Sequence, residues 1–284
     1  MEPFSNINRA IHEGYTFQFN LYVQRGFAIV HKNAGLFIVA SLLFAIMTIT
    51  SSFLVGLIGG ALTLVTGLAG FVLQQLLGQV VQSAVSAPML AGLNNGAHLL
   101  DRNKMVELGQ FFEGFKKWAD LFITSLLAAL VILIASIPGF YLLMEAGLDF
   151  EALKGPEALE MLKELDTERI GLAGLVTSIP VIYLMVAYLW APLLTWFYGI
   201  KGWQALETSR LLAQKNFFSV LGLLLFAGLL FILGFFLCGV GALYTYPVSR
   251  TMIYAAFADV VKLNQGNKDF QNSDDIFSQF APKE

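Results

Sequence analysis

From Asn33 to Leu100 the chain runs 68 residues without a single Lys, Arg, Asp or Glu. A water-soluble domain cannot hold such a run, because globular chains carry charge at roughly one residue in four. A bilayer can: stretches of 18 or more apolar residues cross a hydrocarbon layer about 30 Å thick. As a helix rising 1.5 Å per residue the run measures about 100 Å, too long for two simple crossings. Three arrangements are open. Gly59-Gly60 begins one long helix that runs far into the cytoplasm, residues 59–72 form a re-entrant or interfacial piece, or the run crosses three times.

The whole chain follows the same rule, with 57% hydrophobic and 13% charged residues among 284. Hydrophobic runs place spans at roughly 34–57, 70–97, 119–143, 170–199, 217–238 and 241–263. The expected fold is all-α: a polytopic integral membrane protein of six transmembrane helices with amphipathic cytoplasmic interfacial helices. Its parts are an N-terminal cytoplasmic amphipathic segment (1–33), the membrane domain (34–264, with an acidic extracytoplasmic loop at 144–169) and a polar cytoplasmic tail (265–284). The opening "MEPFSNINRAIHEG" lacks the apolar core of a cleavable signal peptide, so the first span is expected to act as the insertion signal.

Charge sets the number of crossings. Lys and Arg resist translocation and collect in cytoplasmic loops. Six spans put fourteen of the seventeen Lys and Arg on one side, leaving only Lys154, Lys163 and Arg169 on the other. Seven spans would mix the two groups. Both termini are therefore expected in the cytoplasm of a bacterial inner membrane. The opposite loop carries the acid (Glu145, Asp149, Glu151, Glu157, Glu160, Glu164, Asp166, Glu168), and a short helix is expected after Pro156. That loop reads as a solvated cap, or as a vestibule attracting cations.

Three segments look amphipathic. Leu108, Phe111, Phe112, Phe115 and Trp118 share one helical face. In "GWQALETSRLLAQKN", which begins with Gly202 and Trp203, Ala205, Leu206, Ser209 and Leu212 oppose Glu207, Arg210 and Gln214. Before the first span, Tyr15, Phe19, Tyr22 and Ile29 form a comparable stripe. Such helices lie among lipid headgroups, or serve as elbows that set up the next crossing.

The stretch from Gly202 to Val260 resembles the C-terminal half of the YciC-like inner-membrane proteins and of the membrane domain fused to some glycerophosphodiester phosphodiesterases. The features that carry the likeness are G-W-x-A-L-x-x-S at 202–209, Lys215-Asn216, Cys238-Gly239-x-Gly241, Pro247 and the A-x-x-D ending at Asp259. "ELGQFFEGFKKW" is similar to a cytoplasmic element of those proteins between their second and third spans. The resemblance implies a six-helix bundle of unknown activity. It carries over no catalysis, since no phosphodiesterase domain is present. A weak internal echo runs alongside: Lys32-Asn33 precedes the first span as Lys215-Asn216 precedes the fifth, and both 88–101 and 247–259 run from Pro to Asp.

Within the spans the polar candidates are few. Arg250 lies nine residues into the sixth span, about 14 Å along a helix, where a charge is costly and faces a partner or water. Its expected neighbours are a glutamine stripe and a carbonyl freed by Pro88 or Pro247; otherwise it snorkels or takes a lipid phosphate. Gln75, Gln79, Gln82 and Ser86 recur at steps of four, three and four and should face inward, as helix-to-helix hydrogen bonds or as a hydrated groove. Asn94, Asn95 and His98 extend that polarity. Gly56-x-x-x-Gly60 and Gly234-x-x-x-Cys238 are expected to allow close helix approach, and Gly239-Val240-Gly241 a tight turn.

No enzyme signature occurs, no His or Cys pair has metal-ligand spacing, and the balance of charge suggests no nucleic acid. Neither catalysis nor a cofactor is expected. The expected role is a non-enzymatic inner-membrane protein, an envelope or partner-assembly factor whose partners are membrane lipids, another membrane protein or a second copy. The alternative is a transporter or channel-like module for an anionic or amphiphilic solute. Phe270, Ile276, Phe277 and Phe280 in the tail are a further docking candidate.

Overall fold

The computed structural model describes residues 3–148, 165–236 and 239–263. The expected helix after Pro156, Cys238 and the C-terminal tail lie outside these residues. The described residues form helices and connecting turns, with no strand among them. In chain order these are α1 (Pro3–Glu13), α2 (Phe19–Lys32), α3 (Ala34–Thr66), α4 (Leu68–Asp101), a 3-10 helix (Leu108–Lys117), α5 (Trp118–Glu145), α6 (Thr167–Ala187), α7 (Ala191–Tyr198), α8 (Gly202–Gln214), α9 (Phe217–Phe236) and α10 (Val240–Val260).

Among the described residues, five segments are long and apolar enough to cross a membrane: Ala34–Thr66, Leu68–Asp101, Leu108–Glu145, Thr167–Tyr198 and Phe217–Phe236. The chain has the character of a multi-pass helical membrane protein. The segment expected as the sixth span forms α10, which is less apolar than these five because it is the helix the others enclose. Between Pro247 and Ala258 every residue except Arg250 is buried, so its Tyr, Ser and Thr side chains meet protein rather than lipid.

The uncharged run resolves into one hairpin. Neither a re-entrant piece nor a third crossing forms; α3 continues to Thr66 and α4 starts at Leu68, with Gly67 alone between them. Gly67 takes φ 61 and ψ -128, a backbone that side chains disfavour. Each arm is about 50 Å long, well beyond the hydrocarbon thickness. The arms close through Gly59 against Gln74 and through Gly70 against Leu62 and Thr63. Gly56 and Gly60, expected to bring helices together, have nothing near them. Two further hairpins follow. α5 and α6 meet where Gly139 faces Ala173 and Thr177, and α9 and α10 meet where Gly234 faces Thr245, turning at Gly239 with φ 73 as expected.

Pro88 shapes the middle of α4. Lacking an N–H, it leaves the Ala84 carbonyl without its helical donor. The Trp118 indole supplies one, Nε1 donating to Ala84 O at 2.9 Å. The freed carbonyl was expected to serve Arg250; it anchors the start of α5 instead. Beyond Pro88, α4 is buried on nearly every side from Met89 to Asp101, enclosed by the 3-10 helix, α2, α7 and α10.

The segment 108–117 departs from its expected face. An α-helical period aligns Phe111 with Phe115 and Trp118, but at three residues per turn Leu108, Phe111 and Gly114 align instead. Phe111 is fully buried against Gly96 and Phe37, and Gly92 and Gly114 let this helix touch the α4 backbone. Phe111 is therefore a core residue and not an interfacial one. The faces read from α8 and α2 hold better: Ala205, Leu206, Ser209 and Leu212 are buried, as are Tyr22 and Ile29. Residues 1–33 are not a separate segment, since α2 packs along α10 with Gly26 against Met252. The expected span 170–199 breaks after Ala187. Ser209 Oγ bridges the break, accepting from Trp190 N–H (3.1 Å) and donating to Ala187 O (2.7 Å).

Candidate functional site

Two apolar clefts open beside α4. The first, about 400 Å³, lies between α3 and α4 on one side and α9 and α10 on the other, with Ser41, Phe44, Ser86, Phe235, Leu243 and Tyr246 in its wall. The second, about 490 Å³, lies between α4 and α5, where Phe71 stacks on Phe140 at 5.7 Å beside Gln75. Both fall in the range of small-ligand sites, roughly 300–1,000 Å³.

The glutamine stripe connects them. Gln75 belongs to the second cleft and Ser86 to the first, and Gln79 and Gln82 lie between on the same face of α4. The stripe was expected to face inward, but it is not packed away in an interior. Gln75 and Gln82 are exposed and Gln79 is half-buried. Ser86 is satisfied by its own helix, donating to Gln82 O at 2.6 Å.

Most walls of the first cleft are hydrocarbon, but one buried polar side chain in them is unsatisfied. Ser41 is 3% exposed, and its Oγ has no hydrogen-bond partner among the described residues. Other helical hydroxyls close onto the carbonyl four residues back, as Ser136 does onto Ile132 and Ser178 onto Gly174; Ser41 does not.

Arg250 is half-buried and its guanidinium lies 5.4 Å from the centre of the Tyr246 ring, itself part of the first cleft. It makes no ion pair or hydrogen bond among the described residues. The neighbouring Thr251 donates to Gly26 O (2.9 Å) and Met252 packs on Gly26. Arg250 thus stands level with the amphipathic α2 rather than alone in mid-span.

Asn94, Asn95 and His98 belong to a different structure, a polar knot at the foot of α4. Asp101, 3% exposed, accepts from Arg25 of α2, with Nε at 3.0 Å, and from the Tyr254 hydroxyl at 3.2 Å. Arg25 Nη2 also pairs with Asp101 Oδ2. His98 Nδ1 lies 2.8 Å from the same hydroxyl. Since that hydroxyl gives its one proton to Asp101, His98 Nδ1 is the donor in this pair. Tyr22 donates to Asp259 (2.6 Å), and Lys32 to Leu100 O (3.0 Å) and Asn103 (2.7 Å). Asn95 holds the 3-10 helix through Gln110 O and Glu113, and Asn94 is buried beside it. Burial pulls the Arg25 guanidinium down, but the Asp101 hydrogen bond and charge outweigh it and hold its pKa above the usual arginine value. Burial depresses Lys32 despite Asp101, and burial with the adjacent Asp259 raises Tyr22.

The remaining interfacial candidates lie outside this knot. Phe115, Trp118 and Trp203 are exposed, Phe112 is half-buried against Phe44, and Arg210 is held by Glu207 and Gln214. Reading the sequence missed Ser41, Tyr246 and the Arg25–Asp101 pair. Asp101 directly follows the uncharged run and Arg25 lies two helical turns before its start, which is a signal for a pair once that run is known to fold back. Comparison with protein families, with characterised proteins and with solved structures finds no match to this chain.

Proposed function

We propose that the protein is a non-enzymatic inner-membrane protein, an envelope or partner-assembly factor that binds lipid along α4. The observation that carries this reading is a polar stripe running between two apolar clefts. An amphiphile needs both, apolar walls for its chains and amides for its oxygens. The strongest polar groups of the core are already engaged with one another in the Arg25–Asp101–Tyr254–His98 knot, which speaks for structure rather than chemistry. With α10 as a sixth crossing, both termini lie in the cytoplasm. The resemblance to YciC-like proteins fits the same reading.

A second reading, transport of an anionic or amphiphilic solute, draws on the exposure of Gln75 and Gln82 and on the unpaired Arg250. One experiment separates the two. A photo-cross-linking side chain at Gln79 or Gln82, activated in native membranes, should yield lipid adducts by mass spectrometry. A protein adduct would make the stripe a subunit interface. Cysteines at 75, 79 and 82 labelled by a membrane-impermeant reagent from both sides would favour transport and overturn lipid binding.

A further inference from the structure

The first cleft has a charged side chain beside one end only. On α3 the wall runs from Ser41 to Ile49, and on α10 from Tyr246 back to Gly239. Ser41 is the wall residue of α3 nearest α2 along the chain, and Tyr246 is the one of α10 nearest the point where Gly26 touches Met252. Arg250 lies one turn beyond Tyr246, on the α2 side. So Ser41, the Tyr246 phenol and the adjoining Arg250 guanidinium stand toward one end of the cleft, and Thr48, Ile49, Phe235 and Leu243 line the other, with no charged side chain among them. The polar end is level with α2, which carries Arg25, His31 and Lys32 and packs its apolar face on α10.

We propose that this cleft holds one acyl chain of an anionic phospholipid, its phosphate on Arg250 and an ester oxygen on Ser41. This rests on the lipid-binding reading and specifies its ligand. A guanidinium stacked on Tyr246 keeps its N–H groups free, and its planar fork matches two phosphate oxygens. In the α3 wall of the same cleft, Ser41 has a hydroxyl that hydrocarbon alone would leave unpaired. A neutral hydrocarbon would use neither group, and a free phosphate would leave the apolar end empty.

The test uses the full chain reconstituted in vesicles of equal phosphatidylglycerol and phosphatidylethanolamine, released gently and weighed by native mass spectrometry. The wild type should retain phosphatidylglycerol in preference. Arg250→Gln should reduce that preference about tenfold, the order expected for one charge-assisted contact, whereas Arg250→Lys, which keeps the charge but loses the planar fork, should fall between the two. Ala242→Trp fills the cleft and should lose the lipid; Ala45→Leu is a milder filling should the first fail to fold. An unchanged preference in Arg250→Gln, or lipid that persists in the filled variants, overturns the proposal. If lipid also cross-links at Gln79 in that case, the broader reading survives without this one. If no lipid is retained or cross-linked at all, both fall.

Discussion

Trp118 shows how one side chain completes another element. Its indole occupies the single α4 carbonyl that Pro88 deprives of a donor, so Trp118→Phe keeps the ring and removes only the hydrogen bond. Leaving that carbonyl unpaired should cost about 1–3 kcal/mol, read as a lowered melting temperature in detergent; an unchanged melt would mean that lipid or water replaces the indole. The Arg25–Asp101 pair carries more. Asp101→Asn strands a buried guanidinium, and breaking such a pair costs about 3–5 kcal/mol. Replacing Arg25 by Met in the same chain should recover much of the loss, because the harm comes from the uncompensated charge. If the double variant melts no higher than the single one, the knot is not held by that charge pair.

At the scale of elements, the hairpin α3–α4 depends on a single-residue turn. Gly67 has φ 61 and ψ -128, and a side chain there is strained by about 1–3 kcal/mol. Gly67→Ala should lower the melting temperature, while Gly60→Ala, open on all sides and inside a helix, should leave it unchanged or raise it slightly. Equal effects at the two positions would contradict the turn. The internal echo also takes physical form at this scale. Asn33 caps α3 through its side chain, accepting from Leu36 N, and Asn216 precedes α9 with its carbonyl accepting from Val220 N. Each follows an amphipathic helix, and each membrane hairpin so entered ends in a Pro-containing helix.

Across the whole molecule, hydrophobic surface and charge divide the chain. Large apolar side chains such as Ile49, Phe53, Val65, Ile179 and Phe236 stand exposed on α3, α6 and α9, whereas the region around α2, α8 and the foot of α10 buries its apolar faces as a soluble core does. Six crossings require the 149–164 segment and both termini to lie on opposite sides. A tag inserted in 149–164 should be accessible from outside spheroplasts, and tags at either terminus only after their lysis. A C-terminal tag accessible from outside would mean that α10 does not cross.

The order of amino acids alone made this chain a helical membrane protein, because 68 uncharged residues have no other stable environment. It also determined the amphipathic face of α8 and the turn at Gly239, since both follow from local spacing and glycine. What only the tertiary structure decided were the matters of distance across the chain. Whether Phe111 faces lipid or core depended on a 3-10 period imposed by contact with α4. The partner of the Pro88-freed carbonyl proved to be Trp118, and the depth of Arg250 was set by α2. The glutamine stripe was legible as a stripe, but what it faces was not. Which hairpins approach it, and how closely, is set by glycines and rings on α3, α5 and α9, and no spacing within α4 encodes that.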